Sequence, residues 1–177
     1  MSAALYVGLM SGTSLDGVDA ALADLSGAQP LLLGSVHRPF EPELRAALLE
    51  LNAAGGDEID RAARLSNELA RRYADAVAAL LAKYGKSASD IRALGCHGQT
   101  VRHRPELGYT TQIGNAALLA ELTGICVVAD FRSRDIAAGG LDVDRRVLRN
   151  LDRQAPATGL CTQDEADAGK ATRLADR

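Results

Sequence analysis

The chain has 177 residues, 47% hydrophobic and 24% charged, with a formal net charge of −3, which excludes a disordered chain and suits one soluble domain with a proper core. Aromatic residues amount to 3% and Trp is absent, so stacking platforms for single-stranded nucleic acid have little to be built from, and no nucleic acid is expected as a partner. Cys96, Cys126 and Cys161 are widely separated and form no Cys-x-x-Cys pair, which argues against a disulfide framework or a zinc knuckle and fits a reducing cytoplasm.

Met1 to Met10 is short, uncharged and runs straight into a glycine-rich turn, unlike a signal peptide. No apolar run approaches the roughly 20 residues that span a bilayer, so no membrane association is expected. Ala4 to Met10 reads as a strand that ends at the small-residue cluster Ser11 to Gly17. Val18, Ala20 and Leu22 then alternate with smaller or more polar residues, and Leu31 to Val36 follows the break at Gly27 to Pro30; three successive antiparallel strands are predicted.

Pro42 suits a first helical turn, and Leu44, Leu48 and Leu51 recur at helical spacing up to Gly55 and Gly56. A longer helix is predicted from Asp57 as N-cap, with Ile59, Ala62, Leu65, Leu69, Tyr73, Ala76, Leu80 and Tyr84 on its apolar side and Gly85 as its stop. Ile91 to Cys96 reads as a buried strand closed by a His-Gly-Gln-Thr turn, followed by a polar hairpin from Thr100 to Ile113. Asn115 caps a short helix through Leu118, Leu119 and Leu122, Gly124 ends it, and Ile125 to Ala129 is the last clear strand.

Three strands before the first helix depart from the strict alternation of a doubly wound fold. The order instead suits an α/β, ribonuclease-H-like core of the actin type, the fold of sugar kinases, Hsp70 and actin, with a mixed sheet flanked by helices. After Gly140 the composition turns rich in Asp, Arg and Ala. We read 1–140 as one N-terminal domain and 141–177 as a divergent, poorly ordered tail.

The loop of Gly12, Thr13, Ser14, Leu15, Asp16, Gly17, Val18 and Asp19 joins two strands, and a turn of small residues can bring backbone N–H groups close to an anion. It carries neither the Gly-x-x-x-x-Gly-Lys-Ser/Thr nor the Gly-x-Gly-x-x-Gly spacing, so a plain hairpin turn is the alternative. Asp16 and Asp19 are candidate acceptors for a hydrated magnesium ion, or ordinary turn residues.

His97, Gln99 and Thr100 follow an apolar strand, whose end faces a crevice in open α/β sheets. Gln99 and Thr100 can hydrogen-bond sugar hydroxyls, while His97 reads more readily as a structural residue than as a base. Asp130, Arg132, Arg134 and Asp135 crowd one short segment. That pattern serves either bidentate recognition of an acidic sugar or an internal salt-bridge cluster on a solvated loop.

Together, Gly8 to Asp19, Cys96 to His103, Gln112 to Asn115, Val128 to Arg132 and Ala137 to Gly140 closely resemble the anhydro-N-acetylmuramic acid kinases in order and spacing, over residues 1–140. The resemblance implies a cytoplasmic enzyme of peptidoglycan recycling with a two-domain actin-like fold that uses ATP and magnesium. Such an enzyme opens the 1,6-anhydro ring of a small amino sugar with water and phosphorylates O6. By the same resemblance Gly12 to Asp19 form the ATP-phosphate loop, and Gln99, Thr100, Asp130 and Arg132 face the sugar.

The family pattern continues with Gln-Gly-Ala-Pro, Asn-Ile-Gly-Gly and Asp-x-Gly-Pro-Gly-Asn, whose Asp is the expected base; none of these occurs here. Residues from Leu141 onward resemble nothing in the family, the pattern that a frameshift or truncation leaves. The expectation is therefore a kinase half with its second domain and catalytic base missing. The alternatives are a non-catalytic nucleotide- or sugar-binding remnant paired with another chain, or a half that assembles with a separately encoded one; the sequence also allows a homodimer.

Overall fold

A computed structural model of the protein describes residues 3–140 together with 159–160. The tail expected from Leu141 therefore lies outside the described residues except for those two.

Strand β1 (Leu5–Met10) turns sharply into β2 (Gly17–Asp24), which runs antiparallel to it, and β2 pairs antiparallel with β3 (Leu31–Pro39). Helices α1 (Pro42–Leu51) and α2 (Glu58–Lys83) follow. Strand β4 (Ile91–Cys96) then enters the sheet parallel to β1. The next two strands, β5 (Gln99–Arg104) and β6 (Tyr109–Ile113), form a separate antiparallel hairpin. Helix α3 (Ala116–Thr123) leads to the short strand β7 (Val127–Val128), parallel to β4, and α4 (Phe131–Ala137) follows. Finally β8 (Gly159–Leu160) lies antiparallel on β7. The sheet order is β3-β2-β1-β4-β7-β8.

This order follows from the residue pattern. Leu5, Val7 and Leu9 on β1 and Val18, Ala20 and Leu22 on β2 are buried at every second position, so one face of the sheet is apolar. Helix α2 covers that face with Leu69, Ala70, Tyr73, Ala76, Val77 and Leu80, all at most 2% exposed, and α1 adds Leu44, Leu48 and Leu51. Its C-terminus closes as a Schellman motif: Gly85 at φ +58 and Lys86 donate their backbone N–H groups to the carbonyls of Ala82 and Leu81. Just before it, the Tyr84 ring lies against the backbone at Gly34, where an added Cβ would overlap its hydroxyl.

Four local expectations are corrected. Ile59 is 88% exposed rather than part of the apolar side, which starts with the half-buried Ala62 and Leu65 and is fully buried only from Leu69. Asp57 occupies the N-cap position of α2 in the left-handed region and makes no side-chain cap; the Glu58 carboxylate instead accepts the Gly55 N–H. The strand expected from Ile125 to Ala129 is confined to Val127–Val128. The Asp130 to Asp135 segment, expected as a loop, is the N-cap and body of α4.

Candidate functional site

Because β1, β4 and β7 are parallel, their C-terminal ends lie along one edge of the sheet, and the segments singled out from the sequence emerge there. His97 N–H donates to the Leu9 carbonyl at 3.0 Å, joining the end of β4 to that of β1. Next to it Gly98 takes φ +73, and a Cβ there would sit 2.8 Å from the Ile113 carbonyl oxygen. Only glycine serves this turn, which swings the chain from the sheet into β5.

The 11–16 loop is held from inside. Gly12 C=O accepts from Leu15 N–H at 3.2 Å, closing a turn, and from Gln99 Nε2 at 3.3 Å. In a planar trans peptide the carbonyl and the following N–H point in opposite directions, so a Gly12 carbonyl drawn toward Gln99 turns the Thr13 N–H away from it. Thr13 and Ser14 are exposed. Leu15 takes φ +53 yet is 2% exposed: its side chain plugs the core below the turn, offsetting a backbone cost of about 1–2 kcal/mol. Behind the loop, Ser11 Oγ and Tyr73 Oη lie 2.8 Å apart, both residues 1% exposed.

Ser14 Oγ donates to Asp16 Oδ1 at 2.8 Å. That bond, aided by the backbone N–H groups of Asp16 and Gly17 and by His37, holds the exposed Asp16 carboxyl below the usual carboxylate range. Asp16 is thus an ionised oxygen donor at neutral pH. Asp19 is exposed on β2 and its carboxylate meets His37 Nδ1 at 2.9 Å. Gly17 and Val18 are buried strand residues, and a Cβ on Gly17 would fall 2.2 Å from the Arg38 carbonyl oxygen. Of the eight loop residues proposed from sequence, the structure therefore presents Thr13, Ser14, Asp16 and Asp19 outward and uses Leu15, Gly17 and Val18 for packing.

On the hairpin, Gln99 is 1% exposed, and its amide oxygen is buried without a hydrogen-bond partner among the described residues. Thr100 Oγ1 accepts from Gln112 Nε2 at 3.0 Å, and the same nitrogen donates to Thr110 Oγ1 at 2.7 Å. The Gln112 amide oxygen is likewise buried and unpartnered among these residues. His97 is half-buried, with its ring 5.9 Å from that of Phe131. Its Nδ1 lies 2.8 Å from the Gly98 carbonyl oxygen, which can only accept, so Nδ1 carries the proton and Nε2 of the neutral ring is the acceptor.

At the third segment Asp130 is exposed, takes φ +58 and receives a hydrogen bond from Ser133 Oγ. Arg132 is 4% exposed and its guanidinium donates to the Asp135 carboxylate one helical turn on. The ion-pair alternative raised from the sequence is realised, inside a helix rather than on a solvated loop. Tyr73, Gln112 and Asn67 were not singled out for the site. Tyr73 and Asn67 sit in a helical repeat that reads as core or solvated face, and no spacing signal marks their hydroxyl or amide.

An antiparallel three-strand meander extended by parallel β4 and β7, with its loops gathered at the parallel strands' C-terminal ends, is the actin-like arrangement of sugar kinases. Sequence comparison gives the family. The profile of the anhydro-N-acetylmuramic acid kinases matches residues 4–143. The chain is 61% identical over 137 residues to the anhydro-N-acetylmuramic acid kinase of Nitrosomonas europaea, covering 76% of this chain and 38% of that protein. It is 60% identical over 137 residues to that of Bordetella petrii, covering 77% and 36%, and 57% identical over 143 residues to that of Cupriavidus metallidurans, covering 78% and 38%. The chain belongs to the anhydro-N-acetylmuramic acid kinase family, a family of phosphotransferases, and spans somewhat over a third of the length of these relatives.

Proposed function

We propose that this chain provides the phosphate loop and part of the sugar pocket of an ATP-dependent anhydro-N-acetylmuramic acid kinase. In the reaction, water adds to the anomeric carbon of the 1,6-anhydro amino sugar, the bond from that carbon to O6 breaks, and O6 takes the γ-phosphoryl of ATP as ADP leaves. The proton of the attacking water goes to a base that the residues of 1–140 do not include. N-acetylmuramic acid 6-phosphate is the product, and peptidoglycan recycling the setting.

The observation that carries this reading is the inward Gly12 carbonyl, which turns the Thr13 N–H to the exposed side of a loop at the C-terminal end of β1. Fixed amides aimed at an anion cost no reorganisation when charge develops on the transferring group. The donor set fits a hydrated magnesium ion, which takes one or two carboxylates beside phosphate oxygens: Asp16 would hold it, with Asp19 beside it. The ion neutralises phosphate charge when bound. Gln99, Thr100, Asp130 and Arg132 are assigned to the sugar side: Thr100 and the exposed Asp130 through hydrogen bonds to its hydroxyls, with the buried Gln99 and the Arg132–Asp135 ion pair as the wall behind them.

The test is calorimetric titration of the chain with magnesium ATP, alongside an ADP-release assay with the anhydro sugar. Saturable binding that weakens at least about tenfold in Asp16→Ala, with no turnover by this chain alone, is the expected result, since a charge-assisted contact is worth about 1.5–3 kcal/mol. Absence of binding, or binding indifferent to Asp16, would contradict the assignment.

A further inference from the structure

Helix α2 touches both the 11–16 loop and the segment after β6, through side chains the proposed chemistry does not use. Tyr73 Oη meets Ser11 Oγ at 2.8 Å on one side. On the other, its ring edge comes within 3.5 Å of where a Cβ on Gly114 would stand, and the adjoining turns hold Asn115. Ser66 C=O accepts the Asn115 N–H at 3.1 Å, and Asn67 Oδ1 accepts from Asn115 Nδ2 at 2.8 Å. One rigid element thus fixes the 11–16 loop and the segment after β6 relative to each other. Tyr73 is the residue that reaches both.

We propose that Tyr73 is a positioning residue for the phosphate loop: its hydroxyl anchors Ser11, and with it the orientation of the Gly12–Thr13 peptide, while its ring braces Gly114. This rests on the reading of Gly12 to Asp19 as the phosphate loop. A tyrosine is otherwise a poor choice at a position 1% exposed in the middle of a helix. A buried hydroxyl requires a partner that phenylalanine would not, and the ring alone fills the volume. Burial also holds the phenol in its protonated form well past neutrality, so the contact to Ser11 persists across the working pH range. Gln99 holds the next residue by donating to the Gly12 carbonyl. Ser11 and Gly12 are therefore gripped by two buried side chains from distant parts of the chain.

The test compares wild type with Tyr73→Phe and Ser11→Ala by amide hydrogen exchange, then by titration with magnesium ATP. The inference predicts exchange in residues 11–16 roughly three- to tenfold faster in both variants, as the loss of one net hydrogen bond implies. Protection of β2 and of Asn115 to Leu119 should stay unchanged, because the ring is retained. The double variant should lose no more than either single one, since both remove the same contact. ATP affinity should fall by a similar factor in all three.

Exchange that rises uniformly over the whole chain in Tyr73→Phe would make Tyr73 an ordinary core residue and overturn the proposal, as would unchanged exchange in 11–16. Faster loop exchange in a chain whose wild type binds no ATP would sustain the anchoring and sink the phosphate-loop reading instead. Faster loop exchange with unaltered ATP affinity would overturn the functional part of the inference.

Discussion

Glycine and asparagine do most to fix the edge of the sheet where the loops gather. At Gly17 the obstacle is contact rather than torsion: the position opens β2 directly against the backbone of Arg38 and Pro39, and an added Cβ would fall 2.2 Å from the Arg38 carbonyl oxygen. Neither backbone can retreat without breaking the β2–β3 register. Gly17→Ala is therefore expected to destabilise the chain by about 1–3 kcal/mol or more, the range of an overpacked core, read from the midpoint of urea unfolding; a change below about 0.5 kcal/mol would mean that β3 is not seated as described. The residues that carry charge were legible earlier than those that hold them. Asp16 stands in a turn-forming run and Asp130 in a charged segment just past a strand, where their exposure is expected. The roles of Gln99 and Tyr73 depend on contacts 87 and 62 positions away in sequence, which no local pattern encodes.

Elements were legible wherever burial follows a single period. β1, β2, α1 and α3 appear close to where alternation or helical spacing puts them, and Asn115 caps α3 as expected, accepting from Leu118 N–H at 3.0 Å. The same side chain also donates to Asn67 on α2, so Asn115→Ala removes a cap and an interhelical tie together. A loss of about 1–2 kcal/mol is expected, larger than for a cap alone; double-variant analysis with Asn67→Ala should show coupling between the two sites, and strict additivity would remove the tie from the account. Helix α4 escaped the sequence reading for a physical reason. Asp-Phe-Arg-Ser-Arg-Asp has no apolar period, and its stability comes from an ion pair between Arg132 and Asp135 across one turn plus the burial of Arg132, an arrangement indistinguishable by composition from a solvated loop. Ile59 misled in the opposite direction: its spacing matches the apolar stripe of α2, but that stripe is fully buried only from Leu69 onward.

At the scale of the molecule the described residues form one core cluster centred on one face of the sheet. The opposite face is built from small or exposed residues: Gly8 has open space where a Cβ would stand, and Met10 is 45% exposed. At the sheet's edge Leu31, Leu32 and Leu33 on β3 are at least 40% exposed, while Lys83 reaches over that strand to the Ser35 carbonyl at 3.0 Å, placing a charge on an otherwise inviting edge. No helix among the described residues is long and apolar enough to cross a membrane. The family follows from these residues. The complete catalytic apparatus does not, since the relatives run to well over twice the matched length.

The functional reading turns on phosphate sitting on the outward Thr13 N–H of the 11–16 loop. The most direct measurement is a two-dimensional amide NMR titration of the chain with magnesium ATP. Saturable shifts led by Thr13 and Ser14, extending to Gly12 and Asp16 and fading along β2, are expected. Shifts that leave this loop untouched and gather instead in the polar groove between Arg38, Glu41 and Arg72, or in no residue at all, would contradict it.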